Sequence, residues 1–237
     1  MKKIIVISLA LIVGIFGGCF LDNSYTVRGN GNITTSEKSV SSFEKINISG
    51  SAEVHFYASQ EYRTFVTVDS NLLEYLEIDT KGNTLNIGTK SGNLKFTKFL
   101  VEVYCPAVNS VSISGSGRFA GMDDINVSAF TLNISGSGRI EGTIKSETFA
   151  AKISGSGSIM LIGNGDDSDI DISGSGSFNG NEFSINKAAV RISGSGKANV
   201  NVSEYLNAKI SGSGNINYRG NPKIDSKISG SGRLKKM

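Results

Sequence analysis

Apolar residues in this chain recur at every second position around a repeated isoleucine, and the repeat itself recurs down the chain. The pentapeptide Ile-Ser-Gly-Ser-Gly begins at Ile113, Ile134, Ile153, Ile172, Ile192, Ile210 and Ile228, with successive copies 21, 19, 19, 20, 18 and 18 residues apart. With the isoleucine as position zero, position +6 is Phe119, Ile140, Ile159, Phe178, Ala198, Ile216 and Leu234. Position −2 is Val111, Leu132, Ala151, Ile170, Val190, Ala208 and Ser226. The odd positions hold the serines and polar residues such as Arg118, Arg139, Lys152, Asp171, Arg191 and Lys209. A period of two puts the two sets on opposite faces of an extended chain, and no helical period competes with it. The repeats are therefore β structure.

A near-constant period means one structural rung per copy, with insertions absorbed in loops. Nine alternating residues at about 3.3 Å each would reach about 30 Å, long for one strand. The glycines at +2 and +4 offer the bend: Gly115 and Gly117, Gly136 and Gly138, Gly155 and Gly157, Gly174 and Gly176, Gly194 and Gly196, Gly212 and Gly214, Gly230 and Gly232. Without a Cβ they are expected to face inward at cramped corners and to accept positive φ. A rung of 18 to 21 residues then divides into about three short strands and their corners, the size of one coil of a parallel β-helix. The expected fold is all-β, a single solenoid. Stacking its coils about 4.8 Å apart places isoleucine on isoleucine and serine on serine. No rung can bury its own apolar face, so stability must come from neighbours.

The segment before the strict repeats is less regular. Phe43 to Ile48, Glu53 to Tyr57, Phe65 to Asp69 and Phe99 to Tyr104 alternate as strands, and Asn71 to Leu76 has the pattern of a short helical turn. A degenerate copy, Ile48-Ser49-Gly50-Ser51-Ala52, is expected to form the first rung. Residues 29–112 thus read as an irregular N-terminal β cap with the first coils, and 113–237 as the regular repeats. No proline-rich or charged linker divides them, so 29–237 is one domain. The chain stops at Leu234-Lys235-Lys236-Met237, and lysines at an open end would discourage end-to-end sheet growth.

The first residues belong to export. Lys2 and Lys3 form a basic start, Ile4 to Phe16 is continuously apolar, and Gly17, Gly18 and Cys19 follow. About 13 apolar residues are too short to span a bilayer core. Two small residues before a cysteine resemble a bacterial lipoprotein processing site, with Phe16 departing from the commoner aliphatic residue. That resemblance implies a signal peptide over 1–18, a lipid on Cys19, a short tether over 19–28, and a membrane-anchored protein of the cell envelope, in the outer membrane if the cell is Gram-negative. An ordinary cleaved signal is the alternative.

Composition narrows the function. The chain has 29 Gly but only 2 Pro, 38% hydrophobic and 19% charged residues, and a formal net charge of +3. Collagen, a flexible linker and a disordered chain are all excluded. Loss of Lys2 and Lys3 would leave +1 (3 − 2), which gives no argument for a nucleic-acid partner. With Cys19 lipidated, Cys105 has no intramolecular disulfide partner and reads as a small core residue at the end of an alternating strand.

Candidate chemistry is sparse. His55 is the only histidine, so no histidine-dependent triad or multi-histidine metal site can be assembled. In the acidic run Gly163 to Asp171, Asp167, Asp169 and Asp171 match the opening of a calcium loop. Ile172 and Phe178 stand where its glycine and glutamate belong, so a loop insertion is the preferred reading. Gly115 to Gly121 has one residue too many for a dinucleotide fingerprint. Two outward columns carry charge. Position −1 runs Ser112, Asn133, Lys152, Asp171, Arg191, Lys209 and Lys227, and position +5 sets Arg118 beside Arg139 as an anion or acidic-glycan candidate.

Gly29-Asn30-Gly31-Asn32, the stretch Phe43 to Val54, Asn71 to Tyr75 and the serial pentapeptides together resemble the head GIN domain family, described as autotransporter-type adhesins. The resemblance covers about residue 29 to the C-terminus. It implies a right-handed parallel β-helix, an envelope location and no catalytic residues or cofactors. The expectation is a lipid-anchored, non-enzymatic binding or adhesion module meeting a glycan or an envelope or host protein. A periplasm-facing scaffold is the alternative, and a polysaccharide lyase a more distant one, since such enzymes also use β-helices.

Overall fold

A computed structural model describes residues 26–90 and 92–237. The chain forms a β-solenoid of about seven turns built from stacked parallel coils. Its regular part stacks in strict register, with Ile113 opposite Ile134, then Ile153, Ile172, Ile192, Ile210 and Ile228. Coils are less subdivided than the expected three strands. Arg139–Gly155, Ser158–Gly174, Ser177–Gly194 and Lys197–Gly212 are each one extended segment that bends without losing its neighbours. The variable spacing of the repeats is absorbed by register shifts between Met160 and Ile162 and between Gly180 and Ser184.

Inside, the isoleucine, −2 and +6 columns form the core. Val111, Leu132, Ala151, Ile170, Val190 and Ala208 are 3% exposed or less, as are Phe119, Ile140, Ile159, Phe178 and Ile216. Phe149 and Phe183 close the core from the opposite wall, their rings 5.1 Å apart. The pattern fails only where stacking ends: Ile228 is 42% exposed because no further rung covers it.

The two corner glycines differ, which corrects the expectation that both face inward. Each +4 glycine from Gly117 to Gly214 is buried, whereas the +2 glycines lie at the surface with φ between +110° and +121°. At the +2 position of one coil, a Cβ on Gly155 would sit 2.5 Å from the carbonyl oxygen of Gly136 in the coil before. That carbonyl is held there because it accepts a 2.9 Å hydrogen bond from the amide of Ser156. At the +4 position, a Cβ on Gly157 would meet Ile134 Cγ2 at 2.5 Å and the Gly138 carbonyl at 3.0 Å. One glycine is required by backbone conformation, the other by the isoleucine packed beneath it.

The N-terminal cap reverses chain order. The rung containing Ile48 is not the outermost: it lies between Ile113 on one side and Ile87 on the other. Beyond it Lys45–Ile48 pairs in parallel with Thr84–Ile87 and Glu53–Ala58 with Phe99–Cys105, and outside these two strands the solenoid gives way to antiparallel ones. Leu76–Lys81 runs antiparallel to Thr84–Thr89, and Arg63–Asp69 lies antiparallel between Ile33–Lys38 and Phe99–Cys105. The expected helical turn is a 3-10 helix, Ser70–Tyr75, with Leu72 buried beneath it.

Asp69 ties the cap together. Its carboxylate is fully buried and accepts hydrogen bonds from the backbone amides of Gly31 and Thr97, each 2.8 Å. Gly29 lies so close that a Cβ there would overlap the carboxylate. Burial pushes the Asp69 carboxyl up, but the Thr97 and Gly31 amides outweigh it and hold it below the ordinary value.

Two outcomes follow. Gly157→Ala overfills the corner and should lower stability by roughly 1–3 kcal/mol. Ser156→Ala next to it, exposed, should stay within about 0.5 kcal/mol of wild type in the same denaturant titration. Because the folded carboxyl of Asp69 is depressed, its contribution is complete above the unfolded carboxylate range, near about pH 4, and is lost as pH falls through the folded value. Asp69→Asn should therefore cost more stability at neutral pH than in acid; an equal loss at both would refute the carboxylate clamp.

A graded external groove as the candidate functional site

Positions −1 and +1 flank each inward isoleucine on the outer face, so stacking turns them into two parallel walls about 7 Å apart. Between them runs a groove floored by Ile153, Ile172, Ile192 and Ile210, with a volume of about 520 Å³. Lys152, Asp171, Arg191, Lys209 and Lys227 form one wall, and Ser173, Ser193, Ser211 and Ser229 line the other. Towards the cap a hollow of about 330 Å³ continues it between Asn47, Ser112 and Asn133 on one side and Ser114, Ser135 and Ser154 on the other. A last hollow of about 270 Å³, between Asn86 and Ser49, brings it to the cap strands. The groove thus follows the stack from the cap to the last rung.

Its two ends differ in charge. At the cap end the wall residues bind one another: Asn47 donates to Asn86 at 3.4 Å, Asn86 to Asp79 at 3.3 Å, and Asn133 to Ser112 at 3.4 Å. At the far end the wall turns cationic. Arg191 is held by a two-pronged contact to Asp169, at 2.6 and 2.9 Å, with Asp171 at 3.5 Å. Among the described residues Lys152, Lys209 and Lys227 form no ion pair, although Lys152 is in register with Asp171. Three ammonium groups are left to face the groove.

The other residues singled out from the sequence are dispersed. The acidic run is not a loop insertion but part of the strand Ser158–Gly174. There Asp167, Asp169 and Asp171 are spaced two apart along extended backbone, about 7 Å between neighbours. Asp169 and Asp171 are engaged by Arg191, and Asp166 accepts from Asn186 at 3.1 Å. Among the described residues no three His, Cys, Asp or Glu side chains converge to hold a metal. His55 contacts Glu53 at 3.0 Å. The +5 pair does lie in register, Arg118 opposite Arg139. Arg118 is flanked by Glu53 at 3.9 Å and Glu141 at 3.8 Å, which compensates its charge. Arg139, opposite it, forms no ion pair among the described residues, so the +5 candidate keeps one uncompensated cation where the −1 column gathers three. Register alone could have placed both walls, but their concavity and the Asp169–Arg191 clamp depend on side-chain geometry.

Cys105 is fully buried and its thiol donates weakly to the Ala107 carbonyl at 3.7 Å. Burial pushes the thiol up to about 12. It should therefore resist alkylation by iodoacetamide at pH 8 in the folded protein and react only once denatured; native labelling at the unfolded rate would contradict a sealed core position. The predicted signal peptide and Cys19 lie outside the described residues. Among those described, no helix is long and apolar enough to cross a membrane.

Comparison with known proteins agrees with this architecture. A family described as "Putative auto-transporter adhesin, head GIN domain" matches residues 42–222. A "putative lipid binding protein" of Parabacteroides distasonis ATCC 8503 is 27% identical, with a TM-score of 0.76, covering 90% of this chain and all of its own. A "putative adhesin" of Parabacteroides merdae ATCC 43184 is 25% identical, with a TM-score of 0.74 and coverage of 90% and 99%. A "putative adhesin" of Bacteroides fragilis NCTC 9343 shares the fold at a TM-score of 0.85 and 20% identity, covering 89% of this chain and all of its own. A search of curated proteins finds no match. With three quarters of its length matched, from the degenerate first repeat to the last coil but one, the chain belongs to the head GIN domain family.

Proposed function

We propose that the protein is a lipid-anchored, non-enzymatic binding module of the bacterial cell envelope, with the long external groove as its binding face. The observation that carries this reading is the continuity of the groove across the stacked coils. An extended partner laid along it could touch every rung, each contact weak and the sum substantial. The adhesin names of the family and of its structural neighbours support a binding role. The titratable groups on the groove wall are spread along a column instead of converging on one point, which suits adhesion better than acid–base catalysis.

Anchoring at Cys19 would also orient the groove. Six residues lie between Cys19 and the first described strand, Thr26–Arg28, a span of at most about 25 Å. That strand pairs with Asn93–Lys95 of the cap. The cap would therefore sit near the membrane, with the cationic end of the groove pointing away from it.

Cys19→Ser should move the protein from the membrane fraction to the soluble fraction; unchanged membrane association would defeat the anchor. For binding, a soluble form starting after Cys19 should be retained by at least one glycan or envelope fraction, and retention should be lost when Ser193→Trp fills the groove. Retention that survives this change would mean the groove is not the binding face.

A further inference from the structure

The cationic half of the groove has a chemistry specific enough to name a ligand class. Its lining holds four cations, Lys152, Arg191, Lys209 and Lys227, against one carboxylate, Asp171. That surplus of three exceeds the formal net charge of the form starting after Cys19, +1 (3 − 2, without Lys2 and Lys3). The rest of that form sums to −2 (1 − 3), so the groove is more positive than the remainder of the molecule. A concave surface of one sign raises the local concentration of oppositely charged ligands.

The three lysines without an acidic partner and the pinned arginine play different parts. Arg191 is fixed by Asp169 and Asp171, so it presents a guanidinium already partly compensated. Lys152, Lys209 and Lys227 are the groups whose ammonium charge is available to an incoming anion. They lie on one wall, and the opposite wall offers only serine hydroxyls, which donate and accept hydrogen bonds without charge. The floor is the backbone of the isoleucine positions, whose side chains are turned into the core. The lining contains no aromatic residue, the feature on which single-stranded nucleic acid stacks its bases.

Spacing completes the match. Rungs are separated by about 4.8 Å, close to the length of one pyranose unit in an extended chain, so successive sugars would meet equivalent serines. From Lys152 to Lys227 is four rungs, about 19 Å. We propose that this half of the groove binds an extended acidic polysaccharide, one bearing carboxylate or sulfate groups, with roughly one sugar per rung. The assignment rests on the groove being the binding face.

The test is titration calorimetry on the soluble form, using oligogalacturonates of graded length, dextran sulfate, neutral dextran and a DNA oligonucleotide of matched charge. The acidic glycans should bind and neutral dextran should not. Affinity should fall steeply with added salt and should rise with oligogalacturonate length, levelling off once the chain spans about 19 Å. The triple variant Lys152→Gln, Lys209→Gln, Lys227→Gln should lose about tenfold or more in affinity, as expected for three exposed charge contacts. A control triple on other faces, Lys38→Gln, Lys98→Gln, Lys235→Gln, should bind as wild type. Equal loss in the control, binding of neutral dextran, or equal affinity for the oligonucleotide would overturn the acidic-glycan assignment. If no acidic glycan binds but an envelope fraction is still retained and Ser193→Trp abolishes that retention, the ligand class is wrong and the groove reading stands. If Ser193→Trp leaves retention intact, the groove reading itself falls.

Discussion

The structure depends on the approach of one coil's glycine to the next coil's glycine. At the corner, the carbonyl of a +2 glycine points along the stack and accepts the amide of the +3 serine in the following coil, as Gly136 does from Ser156. This places oxygen where any Cβ on the next +2 glycine would have to go. The corner can propagate only if each coil repeats the same residue type with the same left-handed backbone. Two residues further on, the +4 glycine leaves room for the isoleucine of the preceding coil, so hydrogen bonding and side-chain packing impose the same register. A slip of one residue would bury serines and expose isoleucines along the whole stack. Glycine, usually a source of chain freedom, specifies order here because two independent constraints fall on adjacent glycines.

With the register held from inside, the outer face is free to vary, and its variation is ordered by the same stack. Any residue at −1 lies beside the −1 residues of its neighbours, so a run of substitutions down the sequence becomes a gradient down a wall. The change from asparagine and serine near the cap to lysine and arginine near the last coils is such a gradient. Its energetics are modest at each step, since exposed charge pairs contribute about 0 to 1 kcal/mol. What the stack adds is alignment: groups distant in sequence face one partner together without any loop having to be ordered on binding.

How much of this could be read from the chain follows from which interactions are periodic. The strand character, the stacking register of Ile113 to Ile228 and the two outward columns were all legible, because each is a consequence of a period of two within a period of about 19 residues. The inequality of the glycines was not. Parity puts Gly155 and Gly157 on the same face, but parity assumes an unbroken strand, and the left-handed φ of Gly155 breaks the strand between them. The cap was misread for a related reason. Sequence order suggests that the Ile48 copy comes first, whereas Ile87, embedded in Leu85-Asn86-Ile87-Gly88 with no serine or second glycine after it, stacks outside it. Its signal is too short to register as a repeat. In the groove, the charges were visible, but not which of them are cancelled: Arg118 and Arg191 look equivalent to Lys209 in a column, and only side-chain geometry shows that acidic neighbours hold both.

The reversed cap has a mechanical meaning for a surface of this kind. A parallel stack ends in an unpaired edge, and an uncovered edge invites another chain to add to it. Here Thr84–Thr89 and Phe99–Cys105 add the last parallel neighbours to the Ile48 rung, and Leu76–Lys81 and Arg63–Asp69 then lie on them antiparallel. The fold-back cannot be continued by another coil of the same kind, because its direction is wrong and its corner has no glycine pair. Asp69 fastens the nearby loops of the cap, Gly31 and Thr97, with a buried carboxylate. The glycine ladder that makes the solenoid extensible is therefore stopped on the cap side by a change of strand direction, and the wall of weak contacts begins at a rigid terminus.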